Sequence, residues 1–341
     1  MGLTASVLAI DAGNSKTDVA VVAADGTVLA TARGGGFRPP AVGVAAAGGA
    51  PAGGGGRARA SARLPLVGGA AAFARACEQA QVASVAHVSA CLANADLPVE
   101  EEQLAAALHA RAWGTTVQVR NDTFAILRAG VAEPRGVAVV CGAGINCVGM
   151  RPDGRTARFP ALGRISGDWG GGWGLAEEAL WYAARAEDGR GEPTALARTL
   201  PGHFGLGSMY ALIEALHLGH VDPHRRHELA PVLFATAAEG DAIAVSLVDR
   251  LAEEIVTMAT VALSRLDLLA EETPVLLGGS VLAARHPRLD DGIRERLAAR
   301  APKAVPRVVT ARPVLGAALL GLDHVGAPES AQRRVRDCFD G

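Results

Sequence analysis

Directly after a mostly apolar run at residues 3–10, the chain reads Asp11-Ala12-Gly13-Asn14-Ser15-Lys16-Thr17-Asp18. A second apolar run follows at residues 19–24, so the pattern predicts two strands joined by a tight turn at residues 13–17, called the first turn below. This turn brings a carboxylate to a place where backbone N–H groups and hydroxyls can converge on one anion. A phosphate suits such a turn, and the Asp11 carboxylate remains available for a metal ion or its water ligands.

The first turn belongs to a pattern that occurs twice. It is not a Walker A loop, because its Gly and Lys spacing differs and no helix is predicted to begin there. Asp25-Gly26 and a third apolar run follow it, and the same order returns between residues 137 and 159 around Gly142-Ala143-Gly144, the second turn. The repeat suggests an internal duplication. One such turn alone is equally well explained as an ordinary hairpin turn, whereas two related turns favour phosphate binding.

Composition restricts the classes of function. The 341 residues exceed one average domain and favour two. The 33 Lys and Arg nearly balance the 35 Asp and Glu, and aromatic residues make up only 4%, so nucleic acid is an unfavourable partner. No uninterrupted run of about 18 apolar residues predicts a membrane span. Five cysteines without a C-x-x-C pair, and an N-terminus without a basic leader, favour a reducing cytoplasm.

Strand and helix patterns alternate along the rest of the chain and predict an α/β fold. Helices are expected at residues 70–81, 100–111, 175–185, 241–269, 291–300 and 313–322, and further strands at residues 85–91, 116–119, 274–277 and 307–310. Residues 34–69 are dominated by Gly, Ala and Pro, and we expect a mobile loop there because little apolar surface can be buried. The polar residues 326–341 are expected to form a frayed tail.

Two further stretches carry glycines at the ends of predicted strands. Cys141-Gly142-Ala143-Gly144-Ile145-Asn146-Cys147 contains the second turn, where the glycines permit close approach of the backbone to a ligand. Leu276-Leu277-Gly278-Gly279-Ser280-Val281 contains the third turn, residues 278–280, and precedes a predicted helix. Ligand contacts in α/β sheets usually lie at such strand ends. A plain strand-to-helix connection is the alternative for the third turn.

Together these motifs resemble those of the actin-like ATPase superfamily. The motifs are D-x-G-x-[ST]-K-T-D in the first turn, N-D at residues 121–122, G-x-G-x-N-C in the second turn, G-D-x-G at residues 167–170, and L-G-G-S in the third turn. Over residues 3–325 the sequence is similar to the BadF/BadG/BcrA/BcrD ATPase family, especially its N-acetylglucosamine kinase branch. The resemblance implies two ribonuclease-H-like α/β domains, of residues 1–122 with a helix at 313–325, and of residues 123–312. It also implies an active-site cleft between them that closes over MgATP.

The resemblance further implies roles for individual residues. Asp11 would organise a magnesium ion through water. Asp122 would be the catalytic base that takes the proton from the attacking sugar hydroxyl, and its alternative role is to cap the following helix. Asn146 and Asp168 would bind the hexosamine together with Asp122, with turn stabilisation and helix capping as their alternatives. The nucleotide would contact these residues of the three turns: Gly13, Asn14, Ser15, Lys16, Thr17, Gly142, Ala143, Gly144, Gly278 and Gly279.

Three positions depart from the family pattern. Asn14 stands where glycine is usual, Ala143 where Thr is common, and Trp169 where Glu is usual. The resemblance implies a cytoplasmic enzyme that uses ATP and Mg²⁺ to phosphorylate N-acetylglucosamine or a related amino sugar at its primary hydroxyl, and it leaves a homodimer open. One alternative is an ATPase that drives electron transfer into a 2-hydroxyacyl-CoA dehydratase, which would need cysteines for an iron–sulfur cluster. Another is a non-catalytic, nucleotide-dependent regulator.

Overall fold

A computed structural model of the chain describes residues 5–37 and 67–340. The described residues form two five-stranded sheets and twelve α-helices. The strands are β1 (Ala5–Ala12), β2 (Lys16–Ala23), β3 (Val28–Gly35), β4 (Val85–Leu92), β5 (Gly114–Asn121), β6 (Gly136–Cys141), β7 (Ile145–Met150), β8 (Thr156–Arg158), β9 (Thr273–Gly278) and β10 (Ala304–Val308). The helices are α1 (Val67–Ala80), α2 (Pro98–His109), α3 (Asp122–Gly130), α4 (Gly171–Glu187), α5 (Leu196–His203), α6 (Met209–His217), α7 (Leu229–Ala238), α8 (Ala242–Arg265), α9 (Ser280–Ala283), α10 (Pro287–Arg300), α11 (Pro313–His324) and α12 (Glu329–Asp340).

The chain divides into two compact units, and the predicted α/β class is confirmed for both. Unit 1 comprises Met1–Ala125 and Ala311–Gly341, and unit 2 comprises Ile126–Thr310. The strand order is β3-β2-β1-β4-β5 in unit 1 and β8-β7-β6-β9-β10 in unit 2. In each sheet the first three strands along the chain are antiparallel neighbours, and the last two pair in parallel. The two sheets thus share one topology, in agreement with the repeated strand and turn pattern.

Strand β1, in the middle of the unit 1 sheet, is apolar without alternation because both of its faces are buried. In β1, Val7, Leu8, Ala9 and Ile10 are all buried, so both faces of the strand are covered. Helix α11 packs against β1, and α1 packs against β2 and β3. Strand β1 therefore lies in the core, and its end at Ala12 delivers the first turn from a rigid base.

In unit 2, the long helix α8 lies in the hydrophobic core. It begins after Asp241, whose carboxylate accepts a hydrogen bond from the Ala244 N–H at 2.9 Å and so caps the helix. Its buried stripe includes Leu247, Leu251 and Ile255, and the helix packs against β6, β7 and α10. The predicted helix at residues 241–269 is thus present, with its C-terminal end at Arg265.

The prediction of a frayed tail is wrong. Residues 329–340 form α12, in which Ala331 and Val335 are fully buried and Arg334 pairs with Asp25. The apolar residues recur four positions apart, so even this polar helix has a face to bury.

The predicted mobile loop at residues 34–69 falls mostly on residues 38–66, which lie outside the described residues. The two ends of the predicted loop, however, belong to regular secondary structure. Gly34 and Gly35 belong to β3, Phe37 is buried, and α1 begins at Val67.

The structure also contains helices that the sequence patterns did not predict, namely α5, α6 and α7 in unit 2. Within the described ranges, no single helix is long and apolar enough to cross a bilayer. One pair of helical segments, Pro223–Ala238 and Ala242–Arg265, passes the same test only when joined, and it is bent by 111°.

Candidate active site

The first turn projects from two buried strands. The Gly13 N–H donates to the Lys16 carbonyl at 2.9 Å and closes the turn, while Asn14, Ser15 and Lys16 are exposed. The end of β3 packs beside it, because the Phe37 N–H donates to the Gly13 carbonyl at 2.9 Å. The turn is therefore held on both sides, and its tip remains free for a ligand.

Asp11 lies at the base of this turn and is almost inaccessible to water, with 6% of its surface exposed. Burial, together with the negative charges of Asp122 and Asp18, raises the pKa of Asp11 to about 7, and the positive charge of Lys16 opposes this shift. The site thus concentrates negative charge that no protein cation neutralises fully. A bound cation would relieve that repulsion.

Asp18, directly opposite Asp11 in the β1–β2 register, is surrounded by cations. Its carboxylate accepts two hydrogen bonds from Arg33, at 2.6 and 3.1 Å, and lies 3.6 Å from Lys16 Nζ and 3.7 Å from Arg312 Nη2. Burial alone would raise the pKa of Asp18, but these cations, Arg33 first, hold it below the usual range. The charge of Asp18 is therefore compensated by side chains of the protein itself, in contrast to that of Asp11.

Asp122 follows β5 as the first residue of α3 and is partly exposed. Removal from water raises the pKa of Asp122 to about 6, while N–H groups of Thr123 and of Asp122 itself act in the opposite direction. Asn121 Oδ1 accepts the Thr123 N–H at 3.0 Å, so the preceding residue already provides a helix cap. A carboxylate with this pKa is a suitable proton acceptor near neutral pH.

Residues far away in sequence hold the Asn121-Asp122 segment. Asn121 Nδ2 donates to Asp96 Oδ1 at 2.8 Å, and the Asn121 N–H donates to Glu101 Oε1 at 2.9 Å. Asp11 and Asp122 interact electrostatically within the same unit. Unit 1 therefore brings together the first turn, Asp11 and Asp122.

In unit 2, the second turn is held by the start of α4. The Gly172 N–H donates to the Gly142 carbonyl at 2.7 Å, and the Trp173 N–H donates to the Ala143 carbonyl at 3.1 Å. The Gly142 N–H closes the turn through the Gly144 carbonyl at 2.9 Å. The second turn is thus a backbone structure without a charged side chain.

The third turn lies next to the second. Gly279 has a φ of 87°, and a Cβ at this position would overlap the Cys141 carbonyl, so only glycine permits this approach. Gly278 ends β9 and Gly279 precedes α9. Unit 2 therefore brings Gly142 and Gly279 together at one end of its sheet.

Asp168 and Asn146 also lie in unit 2. Oδ2 of Asp168 accepts hydrogen bonds from the Gly163 N–H at 3.0 Å and the Ser166 hydroxyl at 2.5 Å, whereas its Oδ1 makes no hydrogen bond within the described ranges. Asn146 Oδ1 accepts the Cys147 N–H at 2.7 Å. One oxygen of Asp168 is therefore fixed, and the other is available to a ligand hydroxyl.

Trp169 next to it is 8% exposed, and the Arg250 guanidinium lies 4.1 Å from its ring centroid. Its Nε1–H has no hydrogen-bond partner among the described residues. The position where the family usually has Glu is thus part of the core in this chain.

The donor set fits a magnesium ion that is bound mainly through water and phosphate. Mg²⁺ usually uses one or two carboxylates plus substrate phosphates rather than an all-protein cage. Within the described part of the chain, no group of three or more His, Cys, Asp or Glu side chains is arranged to hold a metal ion. Asp11, at the base of the first turn, corresponds to the arrangement of one carboxylate plus substrate phosphates.

Sequence patterns did not single out Asn94, Asp96, Glu101, Arg33 or Arg312. None of them belongs to a recognisable motif. They reach the site from separate elements of unit 1: Arg33 from β3, Asn94 and Asp96 from the loop after β4, Glu101 from α2, and Arg312 from the residue before α11. For Arg33 a signal was available, because it directly follows the third apolar run of the hairpin pattern, and it lies opposite Asp18 in the register of β2 and β3.

Similar proteins place the chain in a family. It is 26% identical over 164 residues to an N-acetylmuramic acid/N-acetylglucosamine kinase of Clostridium acetobutylicum, which covers 48% of this chain and 54% of the relative. The match thus spans about half the length of that relative. An N-acetyl-D-glucosamine kinase of Dictyostelium discoideum is 25% identical over 246 residues, covering 69% of this chain and 75% of the relative.

The fold is shared with a crystal structure of a candidate N-acetylglucosamine kinase from Chromobacterium violaceum. The two superpose with a TM-score of 0.62 at 23% identity, over 94% of this chain and 99% of the other. The model of the BadF/BadG/BcrA/BcrD ATPase family matches residues 8–321. The resemblance found in the motifs is thereby confirmed, and the protein is a member of the BadF/BadG/BcrA/BcrD ATPase family.

Proposed function

We propose that the protein transfers the γ-phosphoryl group of ATP to the primary hydroxyl of an amino sugar, N-acetylglucosamine or a close relative, in the cytoplasm. The observation that carries this proposal is Asp122, a partly exposed carboxylate with a pKa of about 6 in the same unit as the first turn. The names of the two sequence relatives, both amino-sugar kinases, support the substrate class.

In the proposed reaction, Asp122 accepts the proton of the sugar hydroxyl. The hydroxyl oxygen forms a bond to the γ-phosphorus, the bond between that phosphorus and the bridging oxygen breaks, and ADP leaves. A carboxylate with a pKa near 6 is mostly ionised at pH 7, and it is still basic enough to receive the proton as the new bond forms. Such phosphoryl transfer depends mainly on positioning and charge neutralisation.

The nucleotide would bind through backbone N–H groups of the first and second turns and through Lys16. A magnesium ion, when bound, neutralises phosphate charge and orients the phosphoryl group. Asp11 would hold it through water. Burial first, and then the negative charges of Asp122 and Asp18, raise the pKa of this carboxyl, and a bound cation would stabilise its ionised form. The third turn, with Gly278 and Gly279, would lie beside the adenosine.

The sugar would be recognised in unit 2 by Asn146 and Asp168. A carboxylate with one fixed and one available oxygen can accept hydrogen bonds from sugar hydroxyls without changing its rotamer. Trp169 in place of a carboxylate removes one negative charge from this region, so the preferred substituent on the sugar can differ from that of relatives with Glu.

The dehydratase-activator alternative receives no support from the cysteines. Cys141 and Cys147 are fully buried in the core of unit 2, and burial raises the pKa of both thiols, that of Cys141 to about 12. A cluster held between subunits needs accessible thiolates. The regulator alternative would not require a base at Asp122, and the pKa of this residue favours catalysis instead.

A single assay tests the proposal. The purified protein is incubated with MgATP and, in separate reactions, glucosamine, N-acetylglucosamine, N-acetylmannosamine, N-acetylmuramic acid or glucose, and ADP release is followed with a coupled enzyme. We expect the highest kcat/KM for an N-acetylated amino sugar, with the phosphate on its primary hydroxyl by NMR. ADP release that no sugar stimulates would contradict the proposed function.

A further inference from the structure

An amide pair joins the first turn to the loop that follows β4. Nδ2 of Asn94 donates a hydrogen bond to Oδ1 of Asn14 at 2.9 Å. We propose that Asn94 is a positioning residue, which holds the Asn14 amide so that its NH₂ group faces a phosphate oxygen of the bound nucleotide. The inference rests on the proposed function only in that the ligand of the first turn is a nucleotide.

The polarity of the pair carries the argument. A side-chain amide has one acceptor end and one donor end. Because Asn94 donates to Oδ1 of Asn14, the acceptor end of Asn14 is occupied and its donor end points away. Asn14 is exposed at the tip of the turn, and its Nδ2 makes no hydrogen bond with the described residues. The opposite orientation would turn a carbonyl oxygen toward an anion.

Asn94 can hold this orientation because its backbone is fixed. Its φ of 61° lies in the left-handed region, which Asn tolerates better than most residues. The Ala93 N–H donates to the Ala12 carbonyl at 2.8 Å, and Asp96 accepts from Asn121 at 2.8 Å. The loop is therefore anchored on one side to the strand that carries Asp11 and on the other to the segment that carries Asp122.

This arrangement adds a donor that a typical first turn of the family lacks. Where glycine occupies position 14, that position can offer the anion only its backbone N–H group. Asn14 adds a side-chain NH₂ group, and a hydrogen bond to a charged phosphate is stronger than one between neutral groups. Without Asn94 the amide could rotate, and the donor would face the phosphate only part of the time.

The test measures MgADP affinity by titration calorimetry, which does not depend on turnover. Asn94→Gly removes the amide and keeps the left-handed backbone, and we expect the Kd for MgADP to rise about 3- to 10-fold, since one hydrogen bond to a charged group is weakened. The KM for the sugar should not change. The matched control is Gln81→Gly, which also removes an amide from a residue with positive φ, 55°, at the end of α1. It should bind MgADP like the wild type.

A second set of variants, made in the Asn14→Gly protein, separates an effect of Asn94 on the Asn14 amide from an effect on the stability of the fold. In Asn14→Gly, the change Asn94→Gly should have no further effect on the Kd, because Asn94 acts only through Asn14. Asn94→Asp should weaken MgADP binding more than Asn94→Gly, since a carboxylate can only accept and forces Asn14 to present its oxygen. Melting temperatures are measured for every variant.

Three results would overturn the inference: an unchanged Kd in Asn94→Gly, an equal loss in the Asn14→Gly background, or no MgADP binding by the wild type. A wild-type protein that shows the expected pattern with MgADP but phosphorylates no sugar would contradict the proposed function and leave this inference intact.

Discussion

The first and second turns occupy equivalent places in two sheets of the same topology, but their chemistry differs. Strand β1 carries Asp11 one residue before its end, opposite Asp18 and close to Asp122 and Lys16, so the turn in unit 1 is surrounded by titratable groups. Strand β6 ends with Cys141, a buried thiol, and the second turn is held by backbone hydrogen bonds to α4. Topology thus fixes where a turn can bind, and the residue at the strand end decides whether it contributes charge.

If charged side chains act in unit 1 and backbone groups act in the second turn, the largest loss of activity should come from substitution of Asp122. Asp122→Asn keeps the shape and removes the proton acceptor, so we expect kcat to fall by roughly 10²- to 10⁴-fold with little change in the Kd for MgATP. Steady-state kinetics and nucleotide titration measure the two quantities. An exposed carboxylate of unit 2, changed in Asp188→Asn, is the control and should leave both unchanged. Near-normal turnover in Asp122→Asn would contradict the assigned mechanism.

The pH dependence gives an independent test of the same residue. Its pKa of about 6 lies above the ordinary value for Asp, and the reaction needs the ionised form. We therefore expect kcat/KM to fall about tenfold per pH unit below pH 6, where the carboxylate becomes protonated. A rate that does not change between pH 5 and pH 7.5 would show that another group accepts the proton.

Asp11→Asn should weaken MgATP binding but raise the free energy of unfolding of the nucleotide-free protein. The pKa of Asp11 is raised to about 7, so the folded state binds its proton more tightly than the unfolded state does, and stability is lost as pH rises from about 4 to 7. Above pH 7 the variant should be more stable by up to roughly 4 kcal/mol in the absence of nucleotide. Urea unfolding at pH 5 and pH 8 measures this gain, which should be larger at pH 8.

MgATP binding by Asp11→Asn should be weaker, because the carboxylate that organises the metal ion is lost. Equal losses of MgATP affinity in Asp11→Asn and Asp122→Asn would mean that both residues serve the metal. A variant less stable than the wild type at pH 8 would show that Asp11 is ionised and well compensated by the protein itself.

Asp168→Ala should weaken sugar binding by roughly 1.5 to 3 kcal/mol, the range for hydrogen bonds to a charged group, or about 10- to 150-fold in Kd. The MgATP Kd should not change, since Asp168 belongs to the sugar side of the proposed site. Sugar titration in the presence of MgADP provides the measurement. Unchanged sugar affinity and turnover would remove Asp168 from the site.

The smallest effect is expected at the second turn. Cys141→Ala removes a buried thiol and costs some stability, but the turn binds through its backbone, so kcat/KM should change less than about threefold. The comparison is with Asp11→Asn beside the first turn. A large loss of activity in Cys141→Ala, with an unchanged melting temperature, would mean that the second turn also acts through its side chains.

Motifs formed by neighbouring residues could be found from the sequence. A carboxylate at a strand end followed by a glycine turn is local, and so are the glycines of the second and third turns. The contacts made by Asn94 and Asp96 could not be found, because they join residues 80 and 25 positions apart, Asn94 to Asn14 and Asp96 to Asn121. Such pairs depend on strand order, which local patterns do not specify.

The missed helices have a similar explanation. Helix α5 contains Pro201 and Gly202 in eight residues, so its local signals favour a turn, and packing against α4 and α7 stabilises it. Helix α12 is mostly polar and buries only one narrow face, which includes Ala331 and Val335. In both cases tertiary contacts supply what the local sequence lacks.

The return of the last helices to unit 1 has a consequence for synthesis on the ribosome. Unit 2 is one continuous segment, Ile126–Thr310, whereas unit 1 needs Ala311–Gly341 in addition to its first 125 residues. Helix α11 packs directly on β1, the strand that carries Asp11. Translation therefore completes unit 2 before the sheet with the carboxylates can be covered. A stalled or truncated nascent chain would hold a finished second unit beside an N-terminal sheet with one apolar face exposed, and that species is the one we expect chaperones to bind.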